Sequence, residues 1–174
     1  MEKRNVIQRY QFADYLDVRT EEKTDFVLMG LGFKTLNESP GAQTKSKKYV
    51  NEKASSKSVT GYETVFPVTS DLIKDEKAVI ALYRVARNHA TGSEAEFEYV
   101  RVELWDPVAN KKNEFAARKF IVSAEISDIS GDDDIELSGN LNAKGDPIDG
   151  TFNTETRTFT ALTVDDGENE EPVV

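Results

Sequence analysis

The stretch from Asn37 to Ser58 is the strongest constraint on what this chain can fold into. It opens on Asn37-Glu38-Ser39-Pro40-Gly41, a turn signal, and then runs polar and lysine-rich, with Tyr49 and Val50 as its only large apolar groups. A segment of that length with so little to bury cannot form the core of a compact domain. It has to be a projecting hairpin or a disordered loop, and the core must come from what flanks it.

What flanks it reads mostly as strands. Asp25 to Leu36, with Phe26-Val27-Leu28-Met29 apolar on both faces, reads as a buried strand. From Val59 to Val68, Tyr62, Phe66 and Val68 fall on one face, and Val59 and Val65 on the other. That strand is expected to close at or just after Pro67. Thr69-Ser70-Asp71 supplies helix-capping side chains, and Leu72, Ile73, Val79, Ile80, Tyr83 and Ala86 recur at helical spacing. One helix is therefore expected over about residues 70–89, with Arg84, Arg87 and His89 at its negative end. Beyond it, Glu96 to Trp105 is apolar on both faces (Val100, Val102, Leu104 against Phe97, Tyr99, Trp105), which predicts a strand covered on both sides. Phe115 to Ile129 alternates with Phe120, Val122, Ala124 and Ile126 inward. After a Gly131-Asp132-Asp133-Asp134 turn, Ile135-Glu136-Leu137 starts another strand. Thr151-Phe152 and Thr158-Phe159-Thr160 read as a terminal hairpin.

Many short strands and one helix predict a mostly-β fold: a β-sandwich or barrel with one flanking helix and a long projecting loop or hairpin over about 37–58. Residues 1–162 read as one domain that includes this arm. Residues 163–174 read as an acidic tail with nothing to bury, expected to be disordered.

Composition removes most chemistries. The chain has 174 residues and no cysteine, so disulfide scaffolds, thiolate zinc sites and cysteine nucleophiles are excluded. His89 is its single histidine, no Gly-x-Ser-x-Gly elbow occurs, and Gly30-Leu31-Gly32 lacks the third glycine of a dinucleotide loop. Asp132-Asp133-Asp134 lacks the alternate ligand spacing of a calcium loop. With 32 acidic residues some carboxylates will always lie close together, so a pair is no evidence of glycoside hydrolysis. The expectation is a non-enzyme without cofactor or metal. No apolar run approaches the roughly 20 residues of a membrane helix. Met1-Glu2-Lys3-Arg4-Asn5 leads into no signal-peptide core, so synthesis in a cytoplasm is expected.

The net charge of −10 is unevenly spread. From Pro40 to Thr60, five lysines (Lys45, Lys47, Lys48, Lys53, Lys57) face one acid, Glu52, for a net +4, while Glu125 to Asp149 carries a net −7. The arm has one aromatic ring and acidic neighbours, which disfavours nucleic acid as its partner. It reads either as a solvated face or as a contact for an acidic protein surface, another copy of this chain included.

Several segments in order resemble the major tail tube proteins of phages and prophages of Gram-positive bacteria (siphovirus-type tail tube family). In the arm region they are Leu36 through Lys45, Tyr49-Val50-Asn51 and Lys57-Ser58-Val59-Thr60-Gly61-Tyr62-Glu63. Further on they are Val100-Arg101-Val102-Glu103-Leu104-Trp105-Asp106-Pro107, Ala117-Arg118-Lys119-Phe120, Leu137-Ser138-Gly139-Asn140-Leu141-Asn142, Gly145-Asp146-Pro147 and Gly150-Thr151-Phe152. The resemblance spans roughly Tyr15 to Ala161. It implies a β-sandwich subunit of which six copies close into a ring, joining their sheets into an inner barrel. The rings would stack into a hollow tube in a virion tail. DNA would pass through the acidic lumen without specific binding, and the tape measure and tail terminator would be further partners. A long loop would reach the adjacent ring, which here points to Lys45, Lys47, Lys48, Tyr49, Lys53 and Lys57. Glu125, Asp128 and Glu136, opposite the apolar face of their strands, are candidates for the lumen; the alternative is that they are plain outer-surface acids. A competing function is a monomeric binding module for carbohydrate or cell surface.

Overall fold

The structure is a computed structural model and describes residues 5–163. In chain order its strands are β1 (Phe12–Asp17), β2 (Phe26–Leu28), β3 (Phe33–Leu36), β4 (Ala42–Lys47), β5 (Ser56–Tyr62) and β6 (Val65–Asp71). The helix α1 (Lys77–Arg87) follows, and then β7 (Glu96–Pro107), β8 (Glu114–Ser130), β9 (Glu136–Ala143), β10 (Ile148–Asn153) and β11 (Thr158–Ala161). Nine strands form one antiparallel sheet ordered β2-β1-β7-β8-β9-β6-β3, with β10 attached to β8 and β11 to β10; β4 and β5 form a sheet of their own. The fold is mostly β with one helix, a curled half-barrel sheet plus a small second sheet, in agreement with the fold class read from the sequence.

The 17-residue β8 shapes the curl. One of its edges pairs with β7, while the other pairs with β9 from Val122 onward and with β10 from Glu114 to Lys119. A twisted strand with three partners cannot keep one flat face buried, so the apolar side chains collect on opposite faces at its two ends. On one face Phe66, Tyr99, Phe120, Val122 and Leu141 close with Ala78, Leu82 and Val85 of α1. On the other, Val100, Val102 and Ala117 close with Tyr15, Phe26 and Phe152. Alternation along β7 places Tyr99 in the first cluster and Val100 and Val102 in the second, the physical meaning of its two apolar faces. The first cluster is centred on the Phe66 ring, 4.7 Å from Tyr99 and 4.9 Å from Phe120.

Three element boundaries differ from expectation. Thr69, Ser70 and Asp71 are the last residues of β6, paired with Ser138, Leu137 and Glu136, and not a helix cap. The strand runs on because Ser70 is small enough to be buried in line with Phe66 and Val68. The helix accordingly starts at Lys77, without a side-chain cap, and buries Ala78, Val79, Leu82 and Val85. The expected single strand over Val59 to Val68 is two, β5 and β6, which separates the exposed Val59 and Tyr62 from the buried Phe66 and Val68. The expected strand over Asp25 to Leu36 is also two. β2 and β3 lie at opposite edges of the sheet, four residues apart in the chain, which is possible because the sheet curls its edges toward each other. The acidic tail lies, from residue 164, outside the described residues.

The helix ends in a pair of reversed bonds: Ala90 N–H donates to Val85 O at 3.0 Å and His89 N–H to Ala86 O at 3.2 Å. His89 between them is left-handed (φ 50°), the position where glycine is preferred. The single histidine is thus an exposed helix terminus. His89→Gly should raise stability by about 1 kcal/mol in chemical denaturation, because a left-handed conformation penalises a side chain. Phe66→Ala, which empties the centre of the first cluster, should cost about 3–5 kcal/mol in the same measurement.

Candidate assembly surfaces

The lysine-rich segment is an antiparallel hairpin. Six residue pairs join β4 to β5, from Ala42 opposite Tyr62 to Lys47 opposite Ser56, with one irregularity after Gln43. Lys45 lies opposite Ser58 and Lys57 opposite Ser46, while Lys48, Tyr49 and Lys53 lie in the connecting tip. All six residues named from the sequence are exposed, as is nearly every residue of both strands. At the tip, Tyr49 N–H donates to a Glu52 carboxylate oxygen at 3.2 Å and Glu52 N–H to Tyr49 O at 3.1 Å, closing a tight turn. The Lys47 ammonium stands 5.7 Å from the centre of the Tyr49 ring. Of the two possibilities open in the sequence, the projecting hairpin is the one realised.

The root of this hairpin is fastened to the body. Ser39 and Val65 exchange backbone bonds of 2.8 and 2.9 Å, and Glu63 N–H donates to Gly41 O at 3.0 Å. Gly41 is left-handed (φ 63°), and a β-carbon there would stand 2.2 Å from Glu63 O, so only glycine fits this crossing. Both guanidinium nitrogens Nη1 and Nη2 of Arg118 donate to Glu38, at 2.9 and 2.8 Å. This forked pair, partly shielded from water, pushes the Arg118 pKa up.

Behind Glu38 lies a polar cluster in the core. Asp14 is buried and accepts from the Tyr99 hydroxyl at 2.5 Å and from Arg9 Nη2 at 2.7 Å. Arg9 also donates to Leu36 O at 3.0 Å. Arg101 is buried between Asp14 and Glu38, with Nε 3.8 Å from each carboxylate, and its Nε and Nη1 have no hydrogen-bond partner. Burial, and next the Asp14 charge, pushes the Tyr99 phenol well up. The sequence reading missed this cluster. The one available signal was Arg101 in phase with Phe97 and Tyr99 on a core-facing side.

The three candidate lumen acids share one face of β8 and β9, since Glu125 lies opposite Asn140, Asp128 opposite Ser138, and Glu136 opposite Ser130. They are not equivalent. Glu125 accepts from Asn142 Nδ2 at 2.9 Å and Asp128 from the Ser130 hydroxyl at 2.8 Å, both exposed. Glu136 shares the Lys34 ammonium with Asp71, at 2.6 Å each, and these bonds push the lysine pKa up. Glu136 therefore shares a single positive charge with Asp71, and the three groups together keep one net negative charge.

A groove of about 740 Å³ runs between α1 and the start of β7, lined by Arg19, Ala81, Val85, Phe97, Glu98 and Ile121 among others. Its Arg19 pairs with Asp17 and Glu98. His89 is not among its lining residues. Among the described residues no group of three or more His, Asp or Glu is placed to hold a metal ion, and no helix is long and apolar enough to cross a membrane.

No family model matches the sequence, and no curated protein matches it. The fold is similar to that of a chain in the tail of an empty GTA particle, computed with helical refinement and C6 symmetry. The TM-score is 0.54 at 12% identity, over 90% of this chain and 100% of that one. At that identity the likeness is one of fold.

Replacing Glu38 by Gln should loosen the hairpin root. Losing charge-assisted bonds to Arg118 while Arg101 stays buried is expected to cost on the order of 1–3 kcal/mol in chemical denaturation. Backbone hydrogen exchange should rise at Ser39 and Val65 more than in β7.

Proposed function

We propose that this chain is the building block of a phage-type tail tube, of the kind found in phages and prophages of Gram-positive bacteria. Its work is structural and not catalytic. Six copies close into a ring, rings stack, and the tube serves in the virion as the conduit for DNA. The observation that carries this reading is the similarity of fold, over the whole of the neighbour's length, to a tail chain with sixfold symmetry.

The rest of the molecule is consistent with it. β2 and β3 are edges of the large sheet, and β11 pairs with β10 alone. Open edges of this kind let sheets of neighbouring copies join. Among the described residues the hairpin has no partner to bury against, and an adjacent ring supplies one. In this reading Lys45, Lys47, Lys48, Tyr49, Lys53 and Lys57 make the contact between rings. Glu125 and Asp128 face the lumen and repel the DNA backbone, with Glu136 contributing less because Lys34 holds it. Tape measure and terminator proteins are the expected further partners. The carbohydrate-binding alternative would need rings presented flat, whereas Trp105 packs edge-on against Phe12, with ring centres 6.4 Å apart.

Negative-stain images of the concentrated protein should show rings or tubes about a hundred ångströms wide, the size expected for six domains around an axis. A protein that stays monomeric under those conditions, even with tail partners present, would overturn the reading. Removing Ala42 to Tyr62 and bridging Gly41 to Glu63, already hydrogen-bonded across 3.0 Å, should leave the melting temperature of the body within a few degrees of wild type. The same deletion should abolish stacking, scored as loss of tubes with rings or monomers remaining.

A further inference from the structure

The surface that receives the arm can be read from the sheet register. The arm ends at Glu63 and Thr64, immediately before Val65, the first residue of β6. The last residue of β6, Asp71, lies opposite Glu136, and Leu72 N–H donates to Ile135 O at 2.8 Å. The root of the arm and the β8–β9 turn thus sit at opposite ends of β6, about 20 Å apart for seven extended residues.

The β8–β9 hairpin is itself without a partner on one side. The pairing of β7 with β8 reaches only Glu96 opposite Ser123, so from Ala124 to Ser130 no strand among the described residues covers that edge. Ile129 and Ile135 are 43% and 39% exposed beside it. From Glu125 to Glu136 there are six acids and no base, against five lysines and one acid from Pro40 to Thr60. The arm likewise mixes charge with exposed apolar groups, Tyr49, Val50 and Val59. The two hairpins are complementary in charge, each has apolar surface to cover, and they lie at opposite ends of one strand. A single chain cannot satisfy both without folding back on itself, whereas a second copy translated along the strand direction can.

We infer that the arm of one copy docks on the β8–β9 hairpin of a second copy, lysines against Asp132 to Asp134, and the Tyr49–Val50 tip against Ile129 and Ile135. This rests on the tube reading and specifies its axial contact. Because the two surfaces differ and lie at opposite ends, the contact is heterologous and does not close. Repeated, it builds an open filament of defined polarity. Opposed charges also disfavour the inverted stack, since arm against arm brings two clusters of lysine together.

Charge reversal tests it. The variants K45E/K47E/K48E and D132K/D133K/D134K lie on exposed hairpins and should keep the wild-type melting profile, while each lowers the pelletable tube fraction at least tenfold. The combined six-fold variant should recover tubes. In a cysteine-free chain, V50C together with I135C should give disulfide-linked ladders under oxidising conditions, and V50C alone should give no species beyond a dimer. Tubes that survive D132K/D133K/D134K, or a combined variant that fails to recover them, overturn this acceptor while leaving the tube reading standing if the arm deletion still blocks stacking. A wild-type protein that forms neither rings nor tubes overturns both.

Discussion

The long ladder of hydrogen bonds along β8 is the constraint on which the other elements depend. It aligns β7 on one side and both β9 and β10 on the other, so a single strand sets the register of the two halves of the sheet. The irregularity between Ile126 and Asp128 is tolerated because its partner is Gly139, where a β-carbon would stand 1.9 Å from the Glu125 carbonyl oxygen. The extra residue increases the local twist and bends the strand. The lysine hairpin, by contrast, shares no ladder with this sheet. Its orientation is held by side chains and two backbone crossings at its root.

Those side chains reach unusually deep. Asp14, Arg101 and Tyr99 are buried charged or polar groups in a mostly apolar core, and taking such groups out of water is costly unless they are well paired. Arg101 is compensated in part by aromatic faces, its guanidinium carbon 5.1 Å from the centre of Phe12 and 5.9 Å from that of Phe66. The network joins β1, β7, β8 and the residues just before the arm through Glu38. A nonpolar replacement of the same volume could be as stable, but it would leave Glu38 with Arg118 alone. We read the cluster as exchanging some stability for a fixed direction of the arm.

Much of the architecture was legible in the sequence because it rests on alternation. The strands ending in Trp105 and Ile129, the terminal hairpin and the outlying position of Asn37 to Ser58 all follow from where apolar side chains recur. What alternation cannot express is which strand is the partner. The pattern runs without a break through Glu63 and Thr64, yet the partner changes there from β4 to β9, so β5 and β6 merged into one. β1 went unread because Asp14 and Asp17 occupy two of its buried positions. The helix was extended backward because Thr-Ser-Asp resembles a cap, and the buried Ser70 looks the same in sequence as an exposed one. The six arm residues are close in sequence and lie on one hairpin, whereas the Glu38–Arg118 pair is separated by 80 residues and leaves no local trace.

The separate ladder of the arm also sets a timing. β4 and β5 are joined by a short tip between Lys47 and Ser56, and a hairpin of that kind closes in microseconds as soon as it has left the ribosome. The body cannot follow, since Phe12 must wait for Glu103 and Glu38 for Arg118 before either finds its partner. At about 5–20 residues per second that interval is several seconds of synthesis. Throughout it, the arm is a lone two-stranded hairpin, marginally stable by itself, and its lysines keep it soluble until the strand that will orient it has been made.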